Sequence, residues 1–490
     1  MKKNNKKVII LGGGLSGLAA GYELAKAGHK VTVLEKWEKV GGLAQTIEVN
    51  GFRFDTGPHR WYTKNNTVNK WMLDLLGDEV VKVPRLTRIY FDKKFFYYPI
   101  RLFNALFGIG PWQAIRAVVD YDFARIKSRI FKQNLLTMED GYINQFGKTL
   151  YEIFFKRYSE KLWGEDCRNI SIDWVGQRTR GLNILTLIKE TLFKSRDIVS
   201  LVDEFSYPKR GVGRLAEKMA EEIKRLDGEI WTGTEVVKII HNKEKIISVE
   251  VRDKKGKKSL KGDYFISSIP LSDLVKRLIP QIERKIISLA GKLRFRDEVQ
   301  IALFVKKTHI TKDTWIYVHP KEIPFMRVME MDNWTDKLSP IGTTTLVFEI
   351  ACNQGDSLWR KTDKEIIDLV TDAYIREFKL IKRNDVTFGF VHRVPKEYPV
   401  YHLGYNKDVG QIKKFLGKFD NLQLVGRNGT FRYNNMDHSV EMGLYAASNI
   451  IENTKRYDIE SVNIEREYLE EKKIENIEDE RVEEYENEKT

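Results

Sequence analysis

Two cysteines in 490 residues, Cys167 and Cys352, are too few and too far apart for a disulfide framework or a metal cluster, and they point to a reducing, cytoplasmic setting. No uninterrupted apolar run approaches the length that spans a bilayer, which argues against an integral membrane protein. The opening "MKKNNKK" is basic but runs straight into a strand-like "VIILG", without the apolar segment and small-residue site of a signal peptide. Internal repeats are also absent.

Acid is scarce in the body of the chain. The net charge is +14, yet residues 457–490 hold fourteen acids and five bases, a net of −9 that leaves +23 on the rest. The tail reads as a solvated helix or extension. A basic body suits an anionic small molecule, an acidic membrane surface or nucleic acid. The expectation is an anionic small-molecule substrate and no nucleic acid, with peripheral membrane contact and oligomeric state left open. The helices carrying Arg116, Arg125, Lys127 and Arg129 show no identifiable cluster of exposed aromatics, so they read as a solvated basic face.

The strongest local pattern is "KVIILGGGLSGLAAGYELAKAGHKVTVLEK", Lys7 to Lys36. A buried strand runs into Gly12, Gly14 and Gly17 in G-x-G-x-x-G spacing, with Leu15 and Ser16 opening a helix whose amide groups face a pyrophosphate. The next strand ends in Glu35, placed for ribose hydroxyls, followed by Lys36. Strand, glycines, helix, strand and acid occur in the order that a dinucleotide site requires.

Beyond Lys36 come a second glycine pair, Gly41 and Gly42, then Leu43, a short hairpin and a Gly57-Pro58-His59 turn. In form this resembles the FAD-binding superfamily of amine oxidases, protoporphyrinogen oxidases, phytoene desaturases and UDP-galactopyranose mutases, which implies FAD rather than a nicotinamide. "TGPHRWYT" is similar to the mutases' histidine turn, placing His59 against the flavin ring. "YPIRLFNALFG" and "KLWGEDCRNISIDW" resemble further mutase segments, the latter placing Trp163 on the substrate side; Arg178 or Arg180 would serve there as a phosphate contact. "PFMRVMEMDNW" resembles the T-R-x-x-E strand, mapping its arginine to Arg327 and its glutamate to Glu330. "LVGRNGTFRYNNMDHSVEMGLYAASNII" resembles the closing motif, with Gly426, Arg427, Tyr433, Met436, Asp437, His438 and Ser439.

The resemblance implies catalytic roles for His59, Arg327, Arg427 and Tyr433, cofactor contacts that include His59, Arg427 and Val237, and substrate contacts that include Tyr398. A sugar diphosphate calls for guanidinium groups and a phenol, supplied by Arg327, Arg427 and Tyr433. The mutases interconvert pyranose and furanose through a flavin N5–sugar adduct on reduced FAD, a reaction used in building cell-surface polysaccharides. The leading expectation is therefore a sugar-nucleotide mutase, the alternative an FAD-dependent oxidoreductase of the amine oxidase type.

The expected fold class is α/β: a Rossmann-like FAD-binding domain of the GR2 type with helical and antiparallel-sheet insertions on the substrate side. Residues 1–95, 201–270 and 418–456 would form the FAD-binding domain. Residues 96–200 would form a helical substrate-side domain, 271–417 an antiparallel-sheet substrate-side domain, and 457–490 an acidic tail.

Overall fold

The computed structural model describes residues 5–63, 65–98, 102–131, 133–175 and 204–463. Strand β1 (Lys7–Leu11) is the centre of a five-stranded parallel sheet, which is why Val8, Ile9, Ile10 and Leu11 are all fully buried. Strand β2 (Lys30–Leu34) flanks it on one side, with Val8 opposite Val31 and Ile10 opposite Val33, and Glu229–Trp231 lies beyond. On the other side, Tyr264–Ser267 and then Leu422–Leu424 complete the sheet.

Helix α1 (Leu15–Lys26) returns from β1 to β2 and packs between the helices Gly213–Arg225 and Met436–Ile451. The second of these contacts depends on a missing side chain: a Cβ on Gly443 would sit 2.3 Å from the Ser16 carbonyl oxygen. A hairpin, Thr46–Val49 with Phe52–Asp55, is tied to the turn before Gly213–Arg225 by the buried Asp55 carboxylate. It accepts from the Thr46 hydroxyl at 2.6 Å, the Val212 N–H at 3.1 Å and the Tyr207 hydroxyl. Burial pushes the Asp55 carboxyl up to about 6 against the lowering effect of these three donors.

A separate four-stranded sheet is built from Gly256–Lys261, Ile246–Asp253, Glu235–His241 and Leu278–Ile279. The substrate-side sheet has seven strands, in the order Val386–Pro399, Phe295–Val305, Thr344–Cys352, Arg327–Glu330, Trp315–Val318, Thr87–Phe91 and Lys94–Tyr97. The last two fall before residue 95 or across it, where the sequence sets the expected boundary. That boundary rests on chain order, whereas Trp315–Val318 pairs in parallel with Thr87–Phe91 and draws it into this sheet.

Between Leu102 and Trp163 the chain is helical, including a π-helical turn at Glu152–Lys156. Here Arg116, Lys127 and Arg129 are exposed as expected, but the expected lack of exposed aromatics beside them is corrected. Trp112, Phe123 and Phe131 are exposed on and beside the helix Pro111–Ile130, because only one narrow face of that helix is needed to hold it to the protein. No helix among the described residues is long and apolar enough to cross a membrane. Of the acidic tail, only residues up to 463 are described; there Glu460 pairs with Lys413 at 2.7 Å and Arg432 at 3.2 Å.

The α1 contact yields a stability prediction. Gly443→Ala should destabilise the protein by about 1–3 kcal/mol, because the added methyl group meets backbone that cannot rotate away. Urea unfolding measures it.

Candidate functional site

Gly12 stands at φ +106°; its N–H donates to the Leu34 carbonyl at 2.9 Å, and a Cβ there would meet the Ser268 hydroxyl at 2.3 Å. Gly14 caps α1 with extended backbone and no side-chain hydrogen bond, so the first-turn N–H groups of α1 have no side-chain cap. The second glycine pair abuts the first: the Gly41 N–H donates to the Gly13 carbonyl at 2.8 Å, and Gly42 lies so close that its Cβ would stand 3.1 Å from the Gly14 Cα. Glu35 is fixed at the end of β2 by the Gly13 N–H at 2.8 Å and the Trp37 N–H at 2.9 Å, and its carboxyl is raised by burial.

These groups border a cavity of about 430 Å³. Gly12, Gly14, Leu15, Ser16, Glu35, Lys36, Gly41, Gly42, Leu43, His59, Gly426, Arg427, Met436 and Ser439 all line it, as expected from sequence. Four expected residues do not. Gly17 packs inside the turn against the Gly12 carbonyl, while Asp437 and His438 are buried at the start of the final helix, His438 accepting from the Asn435 N–H at 3.2 Å. Val237 is replaced by Val236, because a strand irregularity between Val236 and Lys238 fixes which side chain faces inward. Asn434, Asn435, Asp273, Arg277 and Lys396 are among the further lining residues.

A second chamber of about 130 Å³ shares His59, Arg427, Asn435 and Met436 with the first. Its walls include Tyr98, Trp315, Tyr317, Tyr398 and Tyr433. Its floor is set by strand register: Gln300 is opposite Glu349, Glu349 opposite Arg327, and Arg327 opposite Tyr317, a polar row across four strands. Glu298, two residues before Gln300 and therefore on the same face, accepts from the Gln300 amide at 2.8 Å. Glu397 adds a third buried carboxylate.

Arg327 is paired with Glu349 through Nε and Nη2, and its Nη2 is 3.5 Å from the Tyr398 hydroxyl. Its Nη1 makes no hydrogen bond among the described residues. Arg427 is more fully engaged: Nε and Nη2 donate to the Asn434 carbonyl at 3.2 and 2.9 Å, and Nη1 to the Glu397 carboxylate at 3.1 Å. Its guanidinium lies 4.8 Å from the Tyr433 ring centre. Burial, moderated by Arg427, brings Glu397 to about 7, and burial with repulsion from Glu349 and Glu397 pushes Glu298 well up.

His59 Nε2 faces two carbonyls, Leu43 at 2.9 Å and Thr56 at 2.8 Å, and therefore carries the proton and donates. Burial and the positive charge of Arg427 lower its pKa to about 4. Trp163 is buried against Trp174, ring centres 4.7 Å apart, and borders neither cavity. Glu330 instead pins a loop, accepting from the Ile310 and Thr311 N–H groups at 2.7 Å each. Arg178 and Arg180 lie outside the described residues. Sequence reasoning missed Glu298, Gln300, Glu349 and Glu397, whose convergence depends on register between distant strands.

The parallel sheet, with helices on one face and the four-stranded sheet on the other, the glycine cradle and the acid at the end of β2 define a Rossmann-like dinucleotide-binding fold. The profile of the flavin containing amine oxidoreductase family matches residues 15–451, and the chain belongs to that family. An L-amino-acid oxidase of Sistrurus catenatus edwardsii is 46% identical over 69 residues, 14% of this chain and 13% of that protein. A carotenoid 3,4-desaturase of Haloarcula japonica is 51% identical over 59 residues, 12% of each chain. The chain thus spans about an eighth of the length of these curated relatives. A solved structure of reduced UDP-galactopyranose mutase superposes with a TM-score of 0.80 at 20% identity, covering 95% of this chain and 100% of that one, a likeness of fold.

The lowered His59 pKa has a pH consequence. Between pH 6.5 and about 4 the unfolded chain takes up a proton that the folded chain refuses, so this group's contribution to stability falls as pH falls through that window. His59→Gln, which keeps an N–H donor for the two carbonyls, should remove up to about 1.4 kcal/mol per pH unit of that slope. Urea unfolding of both proteins at a series of pH values checks it.

Proposed function

We propose that this protein is an FAD-dependent enzyme acting on a sugar nucleotide, in the manner of a pyranose/furanose mutase. The observation that carries the reading is the polar row Gln300–Glu349–Arg327–Tyr317 beneath an aromatic wall, opening at the His59–Met436 seam onto the dinucleotide cavity. Hydrogen-bonding groups beside aromatic faces suit a polyhydroxylated ring, which presents hydroxyls at its edge and C–H groups on its faces.

The larger cavity fits FAD by its donor set: uncapped N–H groups at α1 for the diphosphate, Gly14 and Gly42 without side chains to obstruct it, and Glu35 at the ribose end. When bound, FAD would supply the redox-active ring. The chain's own part is positioning and charge. His59, neutral, holds its turn at the seam by donating to two carbonyls. Arg327 offers Nη1 to an anionic or hydroxyl oxygen while Glu349 holds the rest of the guanidinium. Arg427, assigned from sequence to the same task, serves instead to hold Asn434 and Glu397 in place.

A second reading is favoured by that engagement of both guanidinium groups. Dehydrogenation of an uncharged or cationic substrate needs no free arginine, and Glu397, at about 7, is suited to accept a proton near neutrality.

Anaerobically, one reduction of the enzyme should support many turnovers of UDP-galactopyranose to the furanose, monitored by chromatography, because the isomerisation consumes no electrons. No isomerisation across a nucleotide-sugar panel, together with anaerobic bleaching of oxidised flavin by an amine or polyene, establishes the second reading instead. Arg327→Ala should weaken UDP-sugar binding by about 1.5–3 kcal/mol with flavin content unchanged. Titration of flavin fluorescence measures that affinity.

A further inference from the structure

The helix Pro111–Ile130 is attached along a narrow face. Ala117, Tyr121 and Ala124 are buried, and Asp120 accepts from the Thr149 N–H at 3.0 Å and its hydroxyl at 2.6 Å. The opposite face is apolar and open. Trp112, Ile115, Val119, Phe123, Ile126 and Ile130 recur at three- and four-residue spacing and are exposed, from 54% at Ile126 to 83% at Trp112. A helix turned to water carries polar residues on that side.

Charge borders this stripe on both edges. At 100° per residue, Arg116 and Lys127, both exposed, fall along one margin, and the exposed Arg129 falls along the other beside Asp122, the one exposed carboxylate on the helix. We propose that this helix is an interfacial anchor that lies flat on an anionic phospholipid bilayer, its apolar stripe among the acyl chains and its Arg116–Lys127 margin at the phosphates. Charge complementarity selects this occupant. A second copy laid antiparallel on the stripe would bring two Arg116–Lys127 margins together, whereas anionic headgroups neutralise them, and the residues before Tyr457 carry a net +23 that acts in the same direction. The helix rests on the surface without crossing it, in keeping with the absence of a membrane-spanning helix among the described residues. The same stretch of chain reaches the substrate chamber, since Tyr98 in the chamber wall precedes the helix Leu102–Ile109 by four residues.

Co-sedimentation of the full chain with vesicles tests the anchor. Binding is expected to vesicles of phosphatidylglycerol and phosphatidylcholine, to weaken with added salt, and to be much lower with phosphatidylcholine alone. The double variant Phe123→Glu/Ile126→Glu should lower binding about tenfold or more with far-UV circular dichroism and Tm retained, and Arg116→Gln/Lys127→Gln should remove the salt-sensitive part. Should the glutamate variant unfold, quenching of tryptophan fluorescence by brominated lipid, compared with Trp112→Phe, reads the same contact in a chain altered only at an exposed position. Absence of binding to either vesicle, binding unchanged in the variants, or a concentration-dependent dimer that the glutamate variant dissolves without any vesicle binding would overturn the proposal.

Discussion

The two halves of the site meet at a buried positive charge. The Arg427 guanidinium donates to the Asn434 carbonyl on the dinucleotide side and to the Glu397 carbonyl and carboxylate on the strand Val386–Pro399. A charge removed from water is tolerated only when its donors are met, and each half of the protein supplies part of what the other requires. The position of His59 depends on the same group. Burial first, and then the positive charge of Arg427, disfavour a protonated imidazole, and the neutral ring holds the turn between the two cavities.

The second chamber adds three carboxylates to two guanidinium groups within one largely buried space. Glu349 pairs with Arg327 and Glu397 with Arg427, which leaves Glu298 hydrogen-bonded to Gln300 and held toward its protonated form, first by burial. A protonated carboxyl both donates and accepts. The chamber therefore presents both kinds of hydrogen-bonding group while its formal charge stays near balance.

Legibility in the sequence tracks the range of the interactions. The glycine cradle is readable because strand, turn, helix and strand are consecutive, and each residue's role depends on neighbours within about thirty positions. The row from Gln300 to Tyr317 is not readable, because it exists only when distant strands pair in one register. Val236 replaces Val237 through a local irregularity that alternation alone does not foresee. The apolar stripe of Pro111–Ile130 is plain in the sequence, but a helical period does not say which face the protein covers. Here Ala117, Tyr121 and Ala124 suffice for attachment, and the bulkier residues face out. Arg427 is found by its motif, whereas its engagement with Glu397 requires the fold.

The order of strands in the central sheet also sets the order of events during synthesis. Among the strands of this sheet β1 is made first, yet one of its two neighbours is Tyr264–Ser267, and the sheet edge beyond is Leu422–Leu424. The helix that packs on α1 through Gly443 ends at Ile451. The nucleotide lobe consequently stays open at one edge until Leu422–Leu424 has emerged, while the seven-stranded sheet, whose five later strands lie between Phe295 and Pro399, can assemble earlier. Completion of the nucleotide lobe is therefore a late event, and the largely apolar β1, paired with β2 on one side, has to keep its other edge from foreign strands until Tyr264–Ser267 is made.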